Sequence, residues 1–368
     1  MKKILKKSIL CSAALLAMSS ALFAEKFTVA VFGDTQNYCD YRYQKTSNPP
    51  FVFNQADTFY RQMDWLAENS VSNGGSISFA VHVGDVVQNY GTQPVEWEVA
   101  DKAFSILDGK LPYAVVPGNH DYDKTYKSKD GKFNVIDGGT NWNKYLGPKS
   151  SHFKNQKSYG GSYNNGMNTW SVFKAGNREF LHIGLEVEPS NDAIAWAQKV
   201  IDSHKGMPTI LTEHEYLGYE DDKTEPGIAM RLDDGYRHDW DSNNAQQLWE
   251  KFIAKNDQIF IVLCGHNWSF DRKGEEAENA RTDLNNYGNK VYQLLSCYQG
   301  RTEIKKFMNC DDGNMRYGDG WLRLMEFDMD KSEIHCRTFS TELLTYEHDA
   351  NSDFVIKFDF DWNKRFKK

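Results

Sequence analysis

The chain has no second long apolar run, no internal repeat, no low-complexity tract and no surplus of positive charge. Each absence narrows the reading. The one long apolar run, Ile9 to Phe23, follows Met1-Lys2-Lys3 with Lys6 and Lys7, and it ends at Ala24 before the first acid, Glu25. A basic start, a short apolar core and a small residue at the exit describe a secretory signal peptide over residues 1–24. The run is too short to cross a bilayer comfortably. No membrane span is therefore expected after cleavage, and a secreted or periplasmic protein is expected. Cys11 lacks a small residue directly before it, which argues against a lipoprotein anchor. Residues 1–24 hold four lysines and no acids, so their loss moves the formal charge from −8 to about −12. A chain this acidic has little general attraction for a nucleic-acid polymer or an anionic membrane.

Beyond the leader the cysteines are Cys39, Cys264, Cys297, Cys310 and Cys336. An odd number in an exported chain means at least one free thiol or an intermolecular bond. Cys264 and Cys297 lie in apolar, strand-like runs and read as buried thiols. Cys39 and Cys310 lie in loop-like sequence, where a pairing stays open, as does the oligomeric state. The length is ample for one large α/β domain or two smaller ones.

What is present is organised around Ala114-Val115-Val116-Pro117-Gly118-Asn119-His120-Asp121. Branched apolar residues read as the end of a buried strand, Pro-Gly turns the backbone, and an amide, an imidazole and a carboxylate follow at once. The same punctuation recurs. A strand at 27–32 ends in Asp34 and Gln36, one at 77–83 in Gly84-Asp85, one at 208–212 in Glu213-His214, and one at 258–263 in Gly265-His266-Asn267-Trp268. Helical spacing is expected at 53–69, 94–107, 191–203 and about 242–255. Strand, helix, strand, helix, strand with a polar stop at each carboxyl end is the pattern of parallel α/β structure with a site along one edge. Residues 122–170, rich in Gly, Asn, Ser, Lys and Tyr, are expected to form a long loop insertion over the site, and 215–239 a polar loop. Strands near 290–296, 320–327, 333–339 and 353–360 are expected to give a mainly antiparallel second sheet.

Carboxylates, an amide and imidazoles in this mixture suit borderline first-row divalent metals. Each also has a plainer reading: Asp34 and Asp85 as helix caps, Gln36 as a spectator, His120 as a loop brace, His214 as a core histidine. His82, inside a strand, reads as core.

Taken together, Gly33-Asp34-Thr35-Gln36, Gly84-Asp85, Gly118-Asn119-His120-Asp121, His214 and Gly265-His266-Asn267-Trp268 resemble, in order, the blocks of the calcineurin-like metallophosphoesterases. The branch with Asp-x-Gln in its first block is the better match, and Tyr292-Gln293-Leu294-Leu295 to Gly320-Trp321-Leu322-Arg323-Leu324 is similar to it as well. The resemblance implies an α/β fold, a two-sheet sandwich flanked by helices, as a single domain over residues 25–368. It implies a second metal site of Asp85, Asn119, His214 and His266, suited to Mn, Zn or Fe. The first site would hold Asp34, Gln36 and Asp85. It departs from the family pattern, because Gln36 and Trp268 stand where imidazoles would be, and oxygens alone favour weakly bound Mn, Mg or Ca. It further implies in-line attack on phosphorus by a metal-activated water, His120 as general acid and Asp121 as its orienting partner. Trp268 and Tyr122 are the aromatics offered to a substrate. The expected substrate is a small-molecule, glycan or lipid phosphoester, and the rival reading is a weakly active or non-catalytic ligand-binding protein on the same fold.

Overall fold

The computed structural model describes residues 25–43, 55–129, 131, 134–221, 225–232, 236–237, 241–268, 277–301 and 318–367. The expected leader and Cys310 lie outside them.

Two seven-stranded sheets face each other. The first runs Thr345–Tyr346, Glu333–Ser340, Trp321–Asp328, Lys26–Phe32, Ile77–His82, Tyr113–Val115, with Asp353–Lys357 also on the Glu333–Ser340 strand. Its last three strands are parallel and the C-terminal hairpin joins antiparallel. The second sheet runs Ala280–Leu284, Lys290–Leu295, Ile259–Cys264, Thr209–Thr212, Arg178–Gly184, Asn168–Ala175, Tyr159–Tyr163. Four of its strands, from Lys290–Leu295 through Arg178–Gly184, are mutually parallel.

The two-residue period of a strand explains the layering. Phe27, Val29 and Val31 share one buried cluster with Phe79 and Val81 and, from the other sheet, Phe173, Phe180, Ile210, Phe260 and Ile261. That cluster is the seam between the sheets, where Phe79 stacks on Phe173 with ring centroids 4.1 Å apart. The alternate residues Ala30, Phe32 and Ala80 face Phe59, Met63 and Leu66 of the helix Gln55–Glu68 and Trp97 and Phe104 of Pro94–Ser105. On the far side Leu181, Ile183, Leu211 and Val262 meet Ala197 and Ile201 of Asn191–Ser203 and Leu248 of Ala245–Lys251. The result is helices, sheet, sheet, helices. The helix Asn191–Ser203 starts where Ser190 Oγ accepts from the Ala193 N–H at 3.0 Å, a side-chain cap of the ordinary kind.

Three expectations change. The C-terminal strands from Trp321 onward extend the first sheet, whereas the second sheet comes from the middle of the chain and is parallel at its centre. Pattern alone cannot say which sheet a buried strand joins. Residues 122–170 are more than a long loop: they carry strands Lys124–Lys127, Asn134–Asp137 and Tyr159–Tyr163 and helices Thr140–Leu146 and Ser151–Lys154. Trp142, fully buried, anchors this segment against Trp97. Residues 215–239 likewise contain the paired strands Leu217–Asp221 and Glu225–Arg231. Of the cysteines, Cys39, Cys264, Cys297 and Cys336 are buried free thiols, Cys39 in the first helical layer rather than a loop.

Candidate metal centre

Because the parallel strands of both sheets run the same way, their carboxyl ends meet at one edge. Asp34 follows Lys26–Phe32, Asp85 follows Ile77–His82, Asn119 follows Tyr113–Val115, His214 follows Thr209–Thr212 and His266 follows Ile259–Cys264. The sheets are stitched there by polar bonds between distant segments. His266 N–H donates to Asp34 Oδ1 at 3.0 Å, and the His214 ring, through Nδ1, bonds the Val83 carbonyl at 2.7 Å. Asp34, Asp85 and His266 all adopt left-handed backbone, with φ of 52°, 55° and 71°. That conformation is costly for residues with a Cβ and concentrates at functional sites. The neighbouring glycines are explained by crowding. A Cβ on Gly84 would lie 2.4 Å from His214 Nδ1, and one on Gly265 would lie 2.3 Å from Asp34 Oδ2.

Ligand atoms of Asp85, His214 and His266 all lie within 4.8 Å of one another. His214 presents Nε2 to Asp85 Oδ1 at 3.4 Å, and His266 Nδ1 stands 2.9 Å from Asn119 Oδ1. With metal–ligand bonds near 2.0–2.2 Å, the edges of a tetrahedral or octahedral shell are roughly 3.0–3.4 Å, which the His214–Asp85 and His266–Asn119 separations match. His214 uses its other nitrogen on Val83, and the Nε2 of His266 faces Glu215 Oε1 at 3.5 Å. A second partner of this kind is what holds a ligating imidazole in one orientation.

Asp85 also faces the other way. Its Oδ2 accepts from Gln36 Nε2 at 2.9 Å, while Asp34 Oδ2 and Gln36 Oε1 are buried oxygens without a hydrogen-bond partner. A buried acceptor with nothing to donate to it suits a cation, and Gln36 Oε1 is of that kind, whereas the Asp34 carboxyl has the Cys297 thiol beside it.

The buried carboxylates set the charges around them. Burial disfavours a charged His214, yet Asp85 and Asp34 outweigh it and raise its pKa to about 10. Burial also favours neutral Asp85, but His214 and His120 hold its carboxyl well below the usual range. Burial and the Asp85 charge push Asp34 up to about 7. His266 is held down to about 3 by burial and by the His214 charge.

His120 lies beside this cluster. Its backbone N–H donates to Asp85 Oδ1 at 3.0 Å, its Nδ1 bonds the Gln88 carbonyl at 2.6 Å, and its ring stacks on Tyr90 at 5.0 Å. A carbonyl only accepts, so Nδ1 carries a proton and Nε2 is the nitrogen left for chemistry. Asp121 does not orient this ring. Its buried carboxylate accepts from the backbone N–H groups of Val86 at 2.8 Å, Val87 at 3.0 Å and Gly118 at 2.8 Å, which pins two site loops together. Tyr122 is a core residue, 2% exposed and packed in the first helical layer, so it is not offered to a substrate. Trp268 is half-buried against the second layer. His82 is core: burial lowers its pKa to about 3, its Nδ1 accepts from Gly84 N–H at 3.1 Å, and its Nε2 donates to Thr35 Oγ1 at 2.9 Å.

Gln88, Glu215 and Gln299 escaped the sequence reading. Glu215 was visible beside His214 in Glu-His-Glu. Gln299 carried no such signal: it lies four residues past the strand Lys290–Leu295, behind Ser296, Cys297 and Tyr298.

A sandwich that gathers nitrogen and oxygen ligands where the parallel strands of two sheets end is the framework of a metal-dependent hydrolase. Residues 27–270 match the family model for calcineurin-like phosphoesterases, and the chain belongs to that family. It is 26% identical over 318 residues to an uncharacterised protein, YvnB, of Bacillus subtilis strain 168. That match takes in 86% of this chain and 20% of the relative, so the chain spans about a fifth of the relative's length. A crystal structure of a dimetal phosphatase from Danio rerio superposes with a TM-score of 0.49 at 11% identity, covering 92% of this chain and all of that one.

Proposed function

We propose that this protein is an exported phosphoester hydrolase that acts on phosphomonoesters or phosphodiesters of small molecules, glycans or lipids. The observation that carries the proposal is the convergence of Asp85, His214 and His266, with Asn119, on one point at the shared sheet edge. These four residues would hold one divalent cation, with Mn, Zn or Fe matching their mixed donors. Asp34, Gln36 and the far oxygen of Asp85 would hold a second, weaker one, with Mn, Mg or Ca matching oxygens alone. When bound, such cations neutralise charge developing on the phosphoryl oxygens and make water acidic enough to attack near neutral pH. His120 supports the second half of the reaction: with Nδ1–H fixed on Gln88, the imidazolium form carries a second proton on Nε2, which it gives to the leaving oxygen to become the neutral ring. Asp121 serves by fixing the Gly118 and Val86 turns that carry Asn119 and Asp85.

Export rests on the basic and apolar N-terminal stretch. Among the described residues no helix is long and apolar enough to cross a membrane. The test is hydrolysis of p-nitrophenyl phosphate and bis-p-nitrophenyl phosphate by protein stripped with EDTA and then reloaded with Mn²⁺. Activity that disappears and returns with the metal is expected. A metal-loaded protein that binds these esters without cleaving them would move the reading to a ligand-binding protein.

A further inference from the structure

The side of the site that lost its imidazoles is held by a residue outside every block of the motif. Gln36 Nε2 donates to Asp85 Oδ2 at 2.9 Å and to Gln299 Oε1 at 2.8 Å. A carboxylate can only accept, so the amide must turn its nitrogen toward Asp85. The geometry leaves Gln36 Oε1 buried and without a hydrogen-bond partner, on the side of Asp85 that also carries Asp34, two residues before it in the chain. Gln299 is itself fixed. Its carbonyl accepts from Asn37 Nδ2 at 3.1 Å, and its loop is tied down on both sides: Tyr298 Oη donates to Glu278 at 2.8 Å, and Arg301 pairs with Glu278 and Glu347.

We propose that Gln299 is a positioning residue for the first metal side: by accepting the second amide proton of Gln36 it locks the amide so that Oε1, and not Nε2, faces a cation shared with Asp34. The proposal rests on the metallophosphoesterase reading above. It assigns the cost of the missing imidazoles a structural remedy, a neutral oxygen ligand made reliable by a clamp. Without an acceptor at 299, the Gln36 amide keeps only its Asp85 bond and is free to swing off the cation position.

The test is Mn²⁺ binding to the EDTA-treated protein by isothermal titration calorimetry, with stoichiometry from elemental analysis, in the wild type, Gln299→Leu and Gln299→Glu. Gln299→Leu should weaken the second class of site by roughly 10–100-fold while the tight class stays within about twofold, and Gln299→Glu, which keeps an acceptor, should bind at least as well as wild type at both, the range being that of lost supporting contacts at metal centres. Equal weakening of both classes in Gln299→Leu, or failure of Gln299→Glu to restore binding, would reduce Gln299 to a packing residue and overturn the proposal. A wild type with a single class of site would overturn it too, while leaving the metal reading intact. A wild type that binds no Mn²⁺ would overturn both.

Discussion

The two sides of Asp85 are built from different chemistry. On one side Oδ1 faces the His214 imidazole, and the His266 imidazole and the Asn119 amide oxygen gather nearby from two further strand ends. On the other, Oδ2 meets an amide nitrogen, and the remaining donors are Asp34 Oδ2 and Gln36 Oε1. Trp268, at the place where the family pattern has an imidazole, packs on the second helical layer. On the function proposed above, one shared carboxylate would serve a nitrogen-rich, selective pocket and an oxygen-only, permissive one. Affinity should divide accordingly, since imidazoles suit Zn, Mn and Fe whereas oxygens alone suit harder ions.

The comparison can be broken most directly at His266. His266→Ala should abolish the tight metal and lower kcat by roughly 100-fold or more, beyond the 10–100-fold that a supporting contact costs. Elemental analysis with steady-state kinetics checks this, and a variant that keeps one tight metal would contradict it. His120→Ala should leave metal content unchanged and lower kcat by about 10²–10⁴ for alkyl phosphates, whose leaving oxygen needs a proton. For p-nitrophenyl esters the loss should be far smaller, since that oxygen departs without one. Equal losses on both kinds of ester would remove His120 from the role of acid. Gln36→His with Trp268→His should sharpen the comparison from the other direction and tighten the weak side by roughly tenfold, by analogy with other metal-site changes. Calorimetric titration with Mn²⁺ reads that change.

The smallest effect concerns the network behind Gln299. Burial pushes Glu278 up, but Arg301 and Arg323 outweigh it and hold its carboxyl at about 2, against an ordinary 4.5. The folded value lies below the unfolded one, so this stabilisation is complete above about pH 4.5 and is lost as pH falls through about 2. The melting temperature of metal-free wild type should therefore fall over that window, and its advantage over Glu278→Gln should narrow in step. A constant gap would show that the ion network does not set acid stability.

Much of this was legible in the sequence because polar residues that stop apolar runs are conspicuous. Asp34, Asp85, Asn119, His214 and His266 could each be read as the end of a buried strand, and the fold brings those ends to one edge. The sheet each strand would join was hidden, because a fully buried strand shows no alternation to orient it. The roles of Asp121 and Tyr122 were misread for a different reason. Adjacency to His120 suggested contact, but Asp121 turns to backbone amides and Tyr122 turns into the core. Gln299 and Glu215 act through side chains that meet only in three dimensions, 263 residues from Gln36 in the first case. Pattern in one dimension does not reach that far.

The most direct test of the central claim is an anomalous-difference map at the manganese edge from crystals soaked in Mn²⁺. A strong peak among Asp85, His214, His266 and Asn119, with a weaker one on the Asp34 and Gln36 side, is the result expected. A stronger peak on the Gln36 side, or none within reach of His214 and His266, would contradict the account.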